Sequence, residues 1–303
     1  AWLMDSRERA NGHTVGYGVA GIELPQHSVS LADTPGLRKY IKNMIVGAAG
    51  ADVAVVVVSA VDDERQGSLE VGEVAAEHIL IARALGTPHM IVAVNKLDSV
   101  DDAESAFASA SEDVQALLAQ LGVPAENVPI IPISALEGHN VAEPSDRFSW
   151  FSGWQCHGSS GTTLAAAIDA TPSNTRVDRP LRMVVQDVLK IGDAGVVPVG
   201  VMLAGTLSCG QQVAFVPEAS ECVVRGIEVH HYPRDSVQAG CNFGFTMNVS
   251  SRDLSRGMVC VDAADVPPAV ASFRAEVELF DTARPVWKGC EWTMHVHTAT
   301  VSC

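Results

Sequence analysis

HMIVAVNKLD, residues 89–98, decides how this chain is read. Met90 to Val94 are a short run of β-branched and apolar residues, the pattern of a buried strand in a parallel sheet. At its carboxyl end stand Asn95, Lys96 and Asp98. In an open α/β sheet, ligands bind in the crevice beyond the carboxyl ends of the strands. An aspartate in that place accepts two hydrogen bonds from a purine that carries both an N1–H and an exocyclic 2-amino group. Guanine has that pair, whereas adenine offers an acceptor at N1 and has no 2-amino group. NKxD alone is only moderately specific, because an Asx-type turn closing a strand uses the same residue types. Its neighbours decide the matter.

Upstream, HSVSLADTPG (27–36) alternates through Val29 and Leu31 like a strand and ends in Asp33-Thr34-Pro35-Gly36. A carboxylate at a strand end suits magnesium, which keeps several waters in its octahedron. A glycine three residues later lets a backbone N–H approach a phosphate closely. DxxG alone is a weak signal, but it is much stronger ahead of NKxD, with each motif closing a β run. Nearer the start, Glu8, Arg9, Gly12 and Thr14 give ER-x-x-G-x-T. A threonine hydroxyl there can serve a magnesium ion, although spacing alone favours a plain polar loop. Downstream, VPIIPISAL (128–136) reads as another strand, ending in Ser134, Ala135 and Leu136.

Between these motifs the pattern predicts a helix over 38–50, a central parallel strand over 51–60, and a helix over 70–85 closed by Gly86 and Pro88. An amphipathic helix opening on acidic residues then covers 101–122. Strand–helix–strand repetition gives an α/β parallel sheet. Residues 139–180 are loop-rich, with a short helix at 163–170. Trp150, Phe151 and Trp154 there are read as packing on the sheet in preference to stacking on bases. From Leu181, short β runs separated by Gly and Pro argue for a small β-barrel. A second β unit begins near Ala271 (SFRAEVELF, then WTMHVHTATV). His230 with His231 would point to opposite faces of a strand, and His295 with His297 would share one, with no third ligand at a telling spacing. Metal binding by these histidines is therefore set aside.

The 303 residues suffice for two domains and part of a third, and 47% hydrophobic content with mean hydropathy +0.17 supports buried cores. No apolar run reaches the roughly 18 residues a membrane span needs, and no signal peptide pattern opens the chain. Seven scattered cysteines without a CxxC pair point to reduced, cytoplasmic usage, not to disulfides or zinc. A net charge of −16 makes a poor non-specific binder of nucleic acid, so any RNA partner must meet local basic patches.

With DTPG, NKLD and SAL in order ahead of a β-barrel, the chain resembles a translational GTPase, most closely elongation factor 1-alpha or its elongation-factor-like relatives. RKYIKNMIVGAAGADVAVVVVSA, IVAVNKLDSVD and PLRMVVQDVLKIGDAGVVPVGVMLAGTL carry the likeness, together with the IEVHH…HVHTATVSC region. The resemblance implies a P-loop-type GTPase parallel sheet over 1–172, a β-barrel over 178–265 and the start of a second β-barrel over 270–303. It implies GTP/GDP and Mg2+ as cofactors, with Thr14 and Asp33 on magnesium, the latter through water. Asp33, Thr34, Pro35 and Gly36 would face magnesium and the γ-phosphate; Asn95, Lys96, Leu97 and Asp98 would read guanine, and Ser134, Ala135 and Leu136 would back the base. Aminoacyl-tRNA, the ribosome and a guanine-nucleotide exchange factor are the implied partners, with no membrane and no DNA. Neighbouring readings are a release or ribosome-rescue GTPase, a sulfate-assimilation GTPase subunit, and a nucleotide binder that hydrolyses poorly.

Three departures stand out. No GxxxxGK[ST] loop occurs in the 303 residues, so the sheet is expected to be incomplete, the sequence to be a fragment, and Val55 to Val58 to be left exposed. Leu37 occupies the position where the family carries the histidine that orients the attacking water, and leucine cannot hydrogen-bond water. The family is usually basic, and this chain is acidic.

Overall fold

The computed structural model describes residues 6–66, 69, 73–173, 176–192, 195–218, 220–247, 254–277 and 287–303. Two compact units divide the chain, Ala1–Asn174 and Thr175–Cys303. The first opens with α1 (Ser6–Asn11) and an antiparallel hairpin, β1 (Gly18–Glu23) with β2 (Ser28–Asp33). Then follow α2 (Ile41–Ala48), β3 (Val53–Ser59), α3 (Asp62–Gln66), α4 (Val74–Ala84), β4 (His89–Asn95), α5 (Ala103–Gln120) and β5 (Ile130–Pro132). A small hairpin, β6 (Trp154–Cys156) with β7 (Ser159–Gly161), and α6 (Leu164–Asp169) complete it.

The parallel sheet has the order β3-β4-β5. Five consecutive residues of β4, Met90 to Val94, are buried, as a strand with elements on both faces requires. The register runs flush from Val53↔His89 to Ser59↔Asn95, while β5 enters at Val92↔Ile130. One core layer is closed by α5, whose Ala110, Val114, Leu117 and Leu118 lie on one face. Asp102 caps its first turn by accepting from the Ser105 N–H at 3.1 Å, and Gly122, at φ +65°, takes the left-handed position past its end.

Several expectations are refined. The 51–60 run is an edge strand among the described residues, not a central one: β3 pairs only with β4 there, leaving Val57 58% exposed while Val58 is buried. The HSVSLAD strand joins an antiparallel hairpin and not the parallel sheet. The 38–50 helix begins as a 3-10 turn, Arg38–Tyr40. Residues 70–72, the expected start of the next helix, lie outside the described residues. Trp150, Phe151 and Trp154 pack as expected; Trp154 is buried and its indole N–H donates to the Thr163 carbonyl at 3.1 Å.

In the second unit, β8 (Arg182–Ile191), β9 (Gly195–Ala204), β10 (Thr206–Ser208), β11 (Gln212–Val216), β12 (Ser220–Val229), β13 (Tyr232–Arg234), β14 (Ser236–Gln238), β15 (Asn242–Met247) and β16 (Val259–Asp262) follow one another. The order β11-β16-β8-β9-β15-β12 returns to β11 through the β11–β12 pairing, which closes a six-strand barrel. Met183, Val185, Met202, Phe215, Phe243 and Phe245 fill it. Gly200 permits the tight β8–β9 approach, since a Cβ there would stand 1.9 Å from the Val184 carbonyl oxygen.

Beyond Val270 the described strands are β17 (Thr293–Val296) and β18 (Ala299–Ser302), an antiparallel hairpin. Of the SFRAEVELF run, 272–277 form no strand and 278–280 fall outside the described residues. The hairpin tip docks on the barrel: the buried Thr298 hydroxyl donates to the Val185 carbonyl at 2.6 Å. His230 and His231 form a turn, both at positive φ, and His297 is likewise in a turn at φ +50°. The strand-face argument therefore does not apply to them, and no metal-holding group of three or more His, Cys, Asp or Glu exists among the described residues.

Candidate functional site

Because β3 and β4 end level, and β5 ends beside them, their carboxyl termini build one rim. Asn95 ties the rim together. Its backbone carbonyl accepts from the Ala60 N–H at 2.8 Å, and its side-chain Oδ1 accepts from the Ala135 N–H at 2.9 Å. Lys96 follows in a left-handed conformation, φ 67° and ψ 27°, which costs a non-glycine residue on the order of 1 kcal/mol. That turn sends the Leu97 side chain into the core, where it is wholly buried, and leaves Asp98 at the surface of the rim. Leu97 thus anchors the turn and presents no side chain to a ligand.

The buried Ser134 hydroxyl donates to Asp98 Oδ1 at 2.6 Å, and the Ser99 hydroxyl donates to Oδ2 at 3.1 Å. The Ser134 bond is the largest influence on Asp98 and holds its carboxyl below the ordinary aspartate range, against the opposing effect of desolvation. Asp98 is therefore an ionised acceptor at neutral pH. Ala135 is exposed and Leu136 is 87% exposed, so the third segment supplies an apolar lip beside the carboxylate. Sequence reasoning brought Asn95, Lys96, Asp98, Ser134, Ala135 and Leu136 together, and the fold places them on this single rim.

It missed Glu64. In α3, Glu64 Oε2 accepts from the Lys96 ammonium at 2.6 Å and from the Ser59 hydroxyl at 2.7 Å. Nothing in DDERQ marks that residue, because an acidic first turn is ordinary helix chemistry.

The remaining residues gather at a second place. Asp33 ends β2, and the Thr14 hydroxyl donates to Asp33 Oδ2 at 3.4 Å. Glu8, nearly buried, shapes the Thr14 loop: its Oε1 accepts from the Val15 and Gly16 N–H groups at 2.6 and 2.8 Å. Thr34 packs against α2, where a Cβ on Gly47 would approach its Cγ2 to 2.6 Å. Pro35 is buried, Gly36 is exposed, and Leu37 is 41% exposed in extended backbone. Two oxygens converging from Thr14 and Asp33 fit magnesium, which takes one or two protein ligands and completes its shell with water and phosphate.

Comparison with known proteins decides the family. The elongation factor Tu GTP binding domain matches residues 4–189. Elongation factor 1-alpha-A of Schizosaccharomyces pombe is 35% identical over 312 residues, a match that spans the whole chain and 68% of that protein. The chain belongs to the translational GTPase family of the elongation factor Tu type. Elongation factor 1-alpha-B of the same organism matches equally, at 35% over 68% of its length.

Among solved structures, translation elongation factor SelB from Methanococcus maripaludis in complex with the GTP analogue GppNHp aligns with a TM-score of 0.69. It is 18% identical, over 95% of this chain and 58% of that one. Bacterial selenocysteine-specific elongation factor EF-Sec gives 0.67 at 21% identity, over 84% of this chain and 40% of that one. These likenesses establish the fold: a translational GTPase α/β sheet followed by a barrel. The translational GTPase chain thus spans between two fifths and three fifths of those structures. No helix among its described residues is long and apolar enough to cross a membrane.

Proposed function

We propose that this translational GTPase acts in protein synthesis as a GTP-binding elongation factor that delivers aminoacyl-tRNA to the ribosome. The observation that supports the reading is the rim itself, where Ser134 donates to Asp98 and the Ala135 N–H donates to Asn95, so that both motifs end at one place where a guanine base would be read. Asp98 reads N1–H and the 2-amino group, Ser134 keeps it ionised and aimed, and Leu136 shields one side of the base. GTP or GDP is the nucleotide, and its phosphates would complete a Mg2+ shell in which Thr14 would be a direct ligand and Asp33 would be held through water. Aminoacyl-tRNA, the ribosome and an exchange factor are its proposed partners, and the cytoplasm its proposed place.

Leu37 favours a second reading for the chemical step: guanine is bound, but hydrolysis is slow. A 41% exposed leucine beside Gly36 presents only hydrocarbon to an attacking water. Supplying a water-orienting group typically accelerates such steps by about 10²–10⁴. Single-turnover GTP hydrolysis by the full-length protein with ribosomes checks this: Leu37→His should raise the rate by about that range, and an unchanged rate would mean that another group orients the water.

A further inference from the structure

Glu64 is a half-exposed acid in a five-residue helix, and such residues are usually no more than solvated surface. Its surroundings are unusual. The same oxygen, Oε2, accepts from Lys96 Nζ at 2.6 Å and from Ser59 Oγ at 2.7 Å, and Lys96 and Glu64 are each 48% exposed. Ser59 stands opposite Asn95 in the β3–β4 register, and its hydroxyl also accepts from the Val61 N–H at 3.1 Å. The neighbouring Arg65 is buried and fixes this turn: its guanidinium donates to the Ala60 carbonyl at 3.0 Å, to Asp113 at 2.8 Å and to Ser109 at 2.9 Å. Glu64 is thus held on a rigid platform and reaches across to the lysine between Asn95 and Asp98.

We propose that Glu64 is a positioning residue for guanine-nucleotide binding, holding the Lys96 side chain in place before the nucleotide arrives. This rests on reading the rim as a guanine site. A free lysine side chain carries roughly 2 kcal/mol of rotamer entropy that ordering must overcome. Lys96 already has a strained left-handed backbone, and a carboxylate at 2.6 Å fixes the other end of its stem. A site ordered in advance loses less on binding, and the gain is expected mainly as slower release.

The test is the dissociation rate of fluorescent mant-GDP from the full-length protein and from four variants: Glu64→Gln, Lys96→Met, the double substitution and Glu64→Asp. Glutamine keeps an oxygen for Ser59 but loses the ion pair, so Glu64→Gln should speed release about two- to fivefold, as expected for a half-exposed pair. In the Lys96→Met background the same substitution should change nothing, because the partner is gone. Glu64→Asp, which keeps the charge but withdraws it from Lys96, should also speed release. The proposal is overturned if Glu64→Gln leaves release unchanged or slows it, or if its effect persists without Lys96. Failure of the unsubstituted full-length protein to bind mant-GDP overturns the guanine reading and this role with it, and is distinguished by its appearance before any variant is made.

Discussion

At the scale of single residues, Asp98 shows how local bonding prepares a carboxylate for its task. The Ser134 hydroxyl at 2.6 Å favours the charged form, so Asp98 titrates below an ordinary aspartate. A depressed carboxyl stabilises the fold at pH above its unfolded value, and that contribution is lost as pH falls through the folded one. Guanine affinity follows the same sense, since a protonated Asp98 no longer accepts two hydrogen bonds. Ser134→Ala should therefore shift the acid limb of mant-GDP binding to higher pH, checked by titrations between about pH 3 and 7. Unchanged limbs would show that Ser134 does not tune the carboxyl. Gly47→Ala tests the other group. Alanine gains up to about 1 kcal/mol of helix propensity, but its Cβ would meet Thr34 Cγ2 at 2.6 Å and Tyr17 Cβ at 3.1 Å. Overpacking of about 1–3 kcal/mol should win, seen as a lower melting temperature.

At the scale of elements, the strands that carry the rim were legible because their apolar runs are continuous and end at chemically distinctive residues. β4 and its NKLD turn fall where the sequence placed them, and α5 runs over 103–120 within the expected 101–122. Pairing was not legible. ADVAVVVVSA looks like a central strand from composition, yet β3 lies at an edge among the described residues, because a run of valines reports burial tendency and not the number of neighbours. Nor could sequence distinguish a parallel partner for β2 from the hairpin it makes with β1, since alternation is the same in both. Glu64 was invisible for a different reason: its bond to Lys96 spans 32 positions and exists only because α3 follows β3 at the rim. In the barrel, Gly200→Ala should be far more damaging than Gly210→Ala. The first meets the Val184 carbonyl at 1.9 Å within the β8–β9 ladder, whereas the second has open space and only its φ of +84° to resist it. Thermal melts of the two variants, with Gly200→Ala lowered by several degrees more, would check this.

At the scale of the whole molecule, the two compact units match the translational GTPase plan of a nucleotide-binding sheet followed by a barrel. A net charge of −16 makes the chain a poor non-specific binder of nucleic acid, so the proposed aminoacyl-tRNA partner would have to be met by specific local chemistry. That places the weight of the account on the rim. The most direct test is a titration of mant-GDP on the full-length protein, with guanosine, GDP and ADP as competitors, repeated on Asp98→Asn. Guanosine and GDP should displace the probe, and ADP should not. Asp98→Asn should lose guanine and favour xanthine, because an amide presents one acceptor and one donor, matching a base with N1–H and a carbonyl at position 2. Equal competition by ADP, or guanine binding that survives Asp98→Asn, would contradict the guanine reading of the rim.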